Sequence, residues 1–244
     1  MNKTAVIVGT GYDFFYRDDS DLVIIDTPYG KSSPVSEIEL ADKTALFMAR
    51  HGIPHTVSPH QINYRANMKA LSDRGVQHVI AVATVGGITE QMAPGAIIIP
   101  DQIVDYTYGR EHTFADGEQD VVNHIDFTMP YDERLREQLI KSAADLAQNI
   151  IPYGTYAATQ GPRLETAAEV ERLKKDGCDI IGMTGMPEAS LAKELGLAYS
   201  TIALSVNWAA GIKSRRINMK DIEKNISSGI SKVRSIIGRT TESL

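Results

Sequence analysis

The sequence is short of cysteine and has no long apolar stretch, and these two shortages set the first limits. Cys178 is the only cysteine among 244 residues, so no disulfide can close within the chain, and a reducing compartment, the cytoplasm, is the expected setting. The N-terminus has only a short apolar run at residues 5–8 before Gly9, less than a signal-peptide core needs, so no export is expected. Nothing further along reaches the roughly 20 apolar residues of a membrane span, and no membrane partner is expected. Lys and Arg never gather in a block or interleave with aromatics, and the formal net charge is −6, so a nucleic-acid backbone finds no continuous partner. The acidic total does not exclude a small anionic substrate, because a few local donors decide that. Gly/Ser-rich linkers, internal repeats and low-complexity tracts are also missing, and residues 1–244 are read as a single domain.

What is present fits a packed core: 43% of residues are hydrophobic and 23% charged. Short runs rich in Val, Ile and Ala at residues 5–8, 45–48, 79–82, 96–99, 180–181 and 201–204 read as buried strands. Helical spacing occupies residues 62–74, 134–146, 167–176 and 188–195, and Gly75, Gly177 and Gly196 stand where left-handed caps belong. Residues 221–237 carry Ile222, Ile226, Ile230, Val233 and Ile237 at helical intervals, which predicts an amphipathic helix outside the sheet. Strands alternating with helices predict an α/β fold: a mixed central sheet flanked by helices on both faces, with ligands gathered at strand ends.

Several strand ends carry chemistry. Val8-Gly9-Thr10-Gly11 offers backbone N–H groups and a hydroxyl to an anion, although such a glycine pair is commonly a plain turn. It lacks the G-x-G-x-x-G spacing of a dinucleotide site. Arg50-His51-Gly52 can hold a phosphate, the guanidinium by bidentate hydrogen bonds. With His55 and His60 close behind, a metal site is the rival, but no partner carboxylate stands at ligand spacing. Thr84-Val85-Gly86-Gly87 and Met183-Thr184-Gly185 also read as turns closing strands, and together these segments could cradle an oxyanion. In Gln160-Gly161-Pro162-Arg163-Leu164-Glu165-Thr166, Glu165 is either a ligand-facing carboxylate or an electrostatic helix cap. In Asn207-Trp208-Ala209-Ala210-Gly211, Asn207 is either a turn residue or an amide able to donate to and accept from a heterocycle.

These motifs, with Thr27-Pro28-Tyr29-Gly30, Asn63-Tyr64-Arg65-Ala66-Asn67, Pro100-Asp101-Gln102 and Gly182-Met183-Thr184-Gly185-Met186-Pro187-Glu188-Ala189, resemble the trimeric purine nucleoside phosphorylase and methylthioadenosine phosphorylase family from Val6 to about Lys232. The resemblance implies a homotrimer and a phosphate site at Thr10, Arg50, His51, Thr84 and Thr184. It implies Met183 beneath the ribose, His124 near the 5′ substituent and reaching a neighbouring subunit, and a base site at Glu165 and Asn207 with Leu164, Trp208 and Ala209. Val8 departs from the glycine usual in relatives. The implied activity is phosphorolysis, with inorganic phosphate as co-substrate and no metal or organic cofactor.

The substrate follows from functional groups. The methylthioadenosine branch reads adenine with aspartates where this chain has Asn207 and Ala209. Asn207 can donate to O6 or N7 of hypoxanthine while Glu165 accepts from N1–H, which adenine lacks. Met219, at the start of the last helix, suits a 5′-methylthio group better than a hydroxyl, which it would leave unpaired. The expectation is cleavage of 5′-methylthioinosine to hypoxanthine and 5-methylthioribose 1-phosphate in purine salvage, with Asn207, Glu165 and His51 as catalytic groups. Cleavage of inosine, guanosine or methylthioadenosine, a hydrolytic nucleosidase and an inactive purine-binding relative are the alternatives.

Overall fold

The computed structural model describes residues 3–16, 21–115, 117, 122–213 and 217–244. In chain order the elements are β1 (Lys3–Val8), β2 (Asp26–Thr27), β3 (Gly30–Lys31), β4 (Val35–Leu40), β5 (Lys43–Ala49), α1 (Tyr64–Asp73), β6 (Val76–Gly87), β7 (Ile97–Ile98), β8 (Gln102–Asp105), α2 (Glu133–Asp145), β9 (Thr155–Ala158), α3 (Ala167–Lys175), β10 (Ile180–Gly182), α4 (Gly185–Glu194), β11 (Ala198–Trp208) and α5 (Met219–Ser243). Among the described residues, nine strands form one mixed sheet in the order β4-β5-β1-β6-β10-β9-β8, with β11 on β6 and β7 on β11, while β2 and β3 pair separately.

The alternation of side chains in β1 explains the layers. Ala5 and Ile7 pack on one face with Met68 and Leu71 of α1 and Leu191 of α4. Val6 and Val8 pack on the other with Leu139 of α2 and Ile230 and Val233 of α5. Successive strand residues point to opposite faces, so a strand covered on both sides must be apolar throughout, and this one is. The predicted stripe of α5 is buried at Ile226, Ile230, Val233 and Ile237. Gly75, Gly177 and Gly196 have φ of 73°, 87° and 68°, the left-handed values expected of helix-ending glycines.

The long strand β6 positions the site. On one edge it pairs with β1 through Val82 and then, in the opposite direction, with β10 at Gly86 and Gly87. Between these partners, residues 83–85 have no strand neighbour on that edge, and a cleft opens there. Along its other edge runs β11, whose register shifts between Ser205 and Asn207. The bulged Val206 offers its carbonyl to Asn225 Nδ2 of α5 at 2.8 Å, so that acceptor is not left unpaired.

Two expected turns are corrected here. Thr84-Val85-Gly86-Gly87 is the last third of β6, and Asn207-Trp208 is the end of β11. Strand pairing continues through both because Gly87 lets β6 pass Met92, whose carbonyl oxygen a Cβ would overlap. The expected strand at 96–99 shrinks to the two residues of β7, and β4, β8 and β9 are strands the sequence reading did not place.

Candidate active site

A cleft of about 530 Å³ lies at the ends of β1, β5, β6, β10 and β11. The parallel strands β1, β5, β6 and β11 bring their C-terminal ends to the same side, and β10 runs in from the opposite direction, so loops from distant segments converge. Thr10, Arg50, His51, Thr84 and Thr184 all line this cleft, as do Met183, Leu164, Glu165, Asn207, Ala209 and Met219. Trp208 and His124 are not among its lining residues: the Trp208 ring stacks beneath Lys213 Nζ at 5.5 Å, and His124 is exposed.

Arg50 follows β5 and is only 1% exposed. Its Nε and Nη2 donate to Glu188 Oε2 and Oε1, both at 2.7 Å, and Nη1 donates to Val82 O at 3.2 Å. The fork expected to grip phosphate bidentately is therefore occupied by Glu188, which corrects that geometry. Burial works against the guanidinium charge, but the Glu188 carboxylate outweighs it and holds the arginine above its ordinary pKa. A Cβ at Gly9 would stand 2.9 Å from His51 Cδ2 and 3.3 Å from Arg50 Nη1, so both side chains press on a backbone that only glycine leaves bare.

His51 Nδ1 lies 2.7 Å from Val57 O, a carbonyl that can only accept, so Nδ1 carries the hydrogen and Nε2 is a bare acceptor near Gly9. Burial, aided by the Arg50 charge, pushes its pKa down to about 3. A neutral imidazole in this position can accept a hydrogen bond from a hydroxyl-bearing ligand. The ring of His55 stacks on it at 4.1 Å, and burial followed by Arg50 lowers that histidine too. Thr184 is the N-cap residue of α4 yet makes no side-chain cap bond, so its hydroxyl is not spent on the helix.

At the other end, the cap alternative for Glu165 is resolved by its neighbours. Thr166 and Glu169 form the capping box of α3, which leaves Glu165 just outside the helix and facing the cleft. Thr159 Oγ1 donates to Glu165 Oε1 at 2.6 Å. The bulge in β11 turns Asn207 toward the cleft, where one Nδ2 hydrogen goes to Trp208 O at 2.7 Å; the other hydrogen and Oδ1 remain for a ligand. Ile217, Ile222 and Ile226 join Met219 in an apolar wall at the start of α5.

Three supporting residues escaped the sequence reading. Glu188, fully buried, also accepts from Tyr199 OH at 2.9 Å. Arg110, 7% exposed, donates to Met183 O, Met186 O and Gln160 O at 2.9, 2.6 and 2.9 Å and so ties two walls of the cleft together. Thr159 sets one oxygen of Glu165. Only Glu188 left a signal, a carboxylate followed by the apolar stretch of α4.

An apolar-walled cleft with three threonine hydroxyls and a buried arginine at one end and a carboxylate with an amide at the other is a site for a small molecule bearing a heterocycle, beside an oxyanion. A family profile described as the phosphorylase superfamily matches residues 3–242, and the chain belongs to that superfamily. It is 48% identical to a probable S-methyl-5′-thioinosine phosphorylase of Pseudomonas syringae, over 98% of each chain. It is 40% identical to the 6-oxopurine nucleoside phosphorylase of Pyrococcus furiosus, over 91% of this chain and 85% of that one. Among solved structures, the methylthioadenosine phosphorylase of Schistosoma mansoni in complex with adenine superposes with a TM-score of 0.90 at 29% identity, covering 98% of this chain and 91% of the other.

Proposed function

We propose that this protein cleaves S-methyl-5′-thioinosine with inorganic phosphate to hypoxanthine and 5-methylthioribose 1-phosphate, a purine salvage step. The observation that carries the reading is the pairing of Glu165 and Asn207, with Ala209 beside them, in one cleft with Thr10, Arg50, Thr84 and Thr184. A carboxylate and an amide match the N1–H and O6 or N7 of a 6-oxopurine; adenine has no N1–H to give. The similarity to enzymes named for methylthioinosine and 6-oxopurine nucleosides supports the same substrate class.

Phosphate, held by Thr10, Thr84, Thr184 and Arg50 Nη1 with His51 accepting a hydrogen bond from its remaining proton, attacks C1′ through one oxygen as the bond to N9 breaks; the purine leaves with the bonding electrons and takes up one proton, the equivalent of the one the phosphate brought, to become hypoxanthine. Asn207, donating to O6 or N7, stabilises the departing purine through a hydrogen bond that strengthens as negative charge builds on it, while Glu165 accepts from N1–H and fixes the base in place. Removing the Asn207 amide costs roughly 2–4 kcal/mol of barrier stabilisation, the scale of a lost donor to developing negative charge. Met183 sits beneath the ribose, Leu164 flanks the base, and Met219 with its isoleucine neighbours receives the methylthio group. The reaction needs no metal or organic cofactor. The enzyme works in the cytoplasm as a homotrimer in which His124 reaches the neighbour's cleft, a reading supported by the exposure of Tyr108 and Val122.

The deciding experiment supplies methylthioinosine, methylthioadenosine, inosine and guanosine with and without phosphate and compares kcat/KM. Phosphate-dependent release of hypoxanthine, fastest from methylthioinosine, is expected. Preference for methylthioadenosine overturns the base assignment, and preference for inosine overturns the role of Met219.

A further inference from the structure

Resting on the reading of Asn207 above as the donor that stabilises the departing purine, we infer that Asn225 of α5 is a positioning residue for the reaction: by holding the carbonyl of the bulged Val206, it keeps Asn207 aimed at the base. Asn225 is not among the residues that line the cleft, so its part in the reaction passes through its neighbours.

Along β11, Leu204 and Ser205 stand opposite Thr84 and Val85 of β6 and Asn207 stands opposite Gly86, so Val206 is one residue too many for the ladder. Regular alternation sends consecutive side chains to opposite faces, yet Val206 and Asn207 both line the cleft. The bulge is what turns Asn207 there, and a slip that removed it would turn the amide away. Val206 is only 4% exposed, so water has little access to the carbonyl that the bulge frees from the ladder. Asn225 Nδ2 donates to that carbonyl at 2.8 Å. A carbonyl only accepts, so the Asn225 amide is fixed with its NH2 toward β11. One turn further along α5 the helix lies close enough to the strand that a Cβ at Gly229 would stand 2.5 Å from Leu204 Cδ1. Asn225 and Gly229 share a face of α5, as Leu204 and Val206 share a face of β11, and the polar residue falls in line with the bulge. Asparagine is a poor helix former because its side chain competes for the backbone, and the carbonyl across the gap is the reason for one at 225.

The test measures kcat, and KM for methylthioinosine and for phosphate, in the wild type, Asn225→Ala, Asn225→Asp, Asn207→Ala and the double variant Asn207→Ala with Asn225→Ala. Alanine removes the donor, and aspartate keeps the shape but sets a charged acceptor against a carbonyl. Each Asn225 variant should lower kcat roughly tenfold, the value of one hydrogen bond, and leave the KM for phosphate within about twofold of wild type. An effect that passes through Asn207 is not felt twice, so the double variant should be no slower than Asn207→Ala alone. A loosened fold, by contrast, raises both KM values and slows the double variant further. An unchanged kcat in whichever of the Ala and Asp variants folds, a phosphate KM that rises as far as kcat falls, or additive losses in the double variant overturns the role of Asn225. A wild-type kcat in Asn207→Ala overturns instead the reading of Asn207 on which that role rests.

Discussion

Replacing Glu188 with Gln removes the only carboxylate that faces the Arg50 guanidinium in an ion pair among the described residues. The arginine is 1% exposed and the glutamate 0%, so water cannot take over the lost contacts. The amide keeps one acceptor, but its NH2 then opposes an arginine N–H across a distance that is now 2.7 Å, and Tyr199 OH loses its charged acceptor. Breaking a buried pair on one side costs about 3–5 kcal/mol, because it strands the other charge. At roughly 2–4 °C per kcal/mol for a chain of this size, the unfolding midpoint should fall by about 6–20 °C. Arg50 released from Glu188 also loses the contact that aims Nη1 at Gly9, so the KM for phosphate should rise more than the KM for nucleoside. Thermal unfolding followed by circular dichroism and initial rates at varied phosphate measure the two effects. The double variant Glu188→Leu with Arg50→Met, which leaves no charge behind, should be more stable than Glu188→Gln although it binds phosphate poorly. A Glu188→Gln midpoint within 2 °C of wild type, by the same scale, together with an unchanged phosphate KM, refutes the assignment of Glu188 as the group that holds Arg50 in place.

Gly87→Ala forces a methyl group into the carbonyl of Met92, a backbone atom with no rotamer to escape by, so β6 and the segment after it must part. A loss of about 1–3 kcal/mol in urea unfolding is expected, the scale of overpacking a core, and unaltered stability would mean that the two segments are not held as described. Stability should also depend on pH through His51. Its folded pKa of about 3 lies below the ordinary 6.5, so the unfolded chain binds the extra proton between those values and stability falls as pH drops through 6.5. The slope attributable to this residue is at most about 1.4 kcal/mol per pH unit. His51→Gln should flatten the denaturant midpoint against pH between 6.5 and 5, and an identical slope in both proteins would count against a buried neutral imidazole.

The parts of the fold legible in the sequence are those where one chemical requirement acts locally. Residues 5–8, 45–48 and 79–82 are buried on both faces, so they must be apolar in an unbroken run, and that run is visible. In β4 the outward Glu37 and Glu39 alternate with inward Ile38 and Leu40, the pattern of an edge strand with one wet face, which leaves no unbroken apolar run to mark it. The site divides in the same way. Thr10, Arg50, Thr184 and Asn207, which the structure brings into one cleft, stand out in the sequence because each follows or ends a strand and carries a hydrogen-bonding group. The geometry that makes them useful is held by partners far along the chain: Arg50 is aimed by a residue 138 positions away, and Arg110 reaches Met183 from 73 positions away. Nothing near Arg50 in the sequence demands Glu188, because the demand is a distance in space between β5 and α4. Thr84 reads as a turn residue for a related reason. A strand that loses one neighbour at Val82 and gains another at Gly86 looks, from its own residues, like a strand that has ended. In this fold the interrupted pairing makes the cleft, so a segment that reads from sequence as a strand's end is the one that opens it.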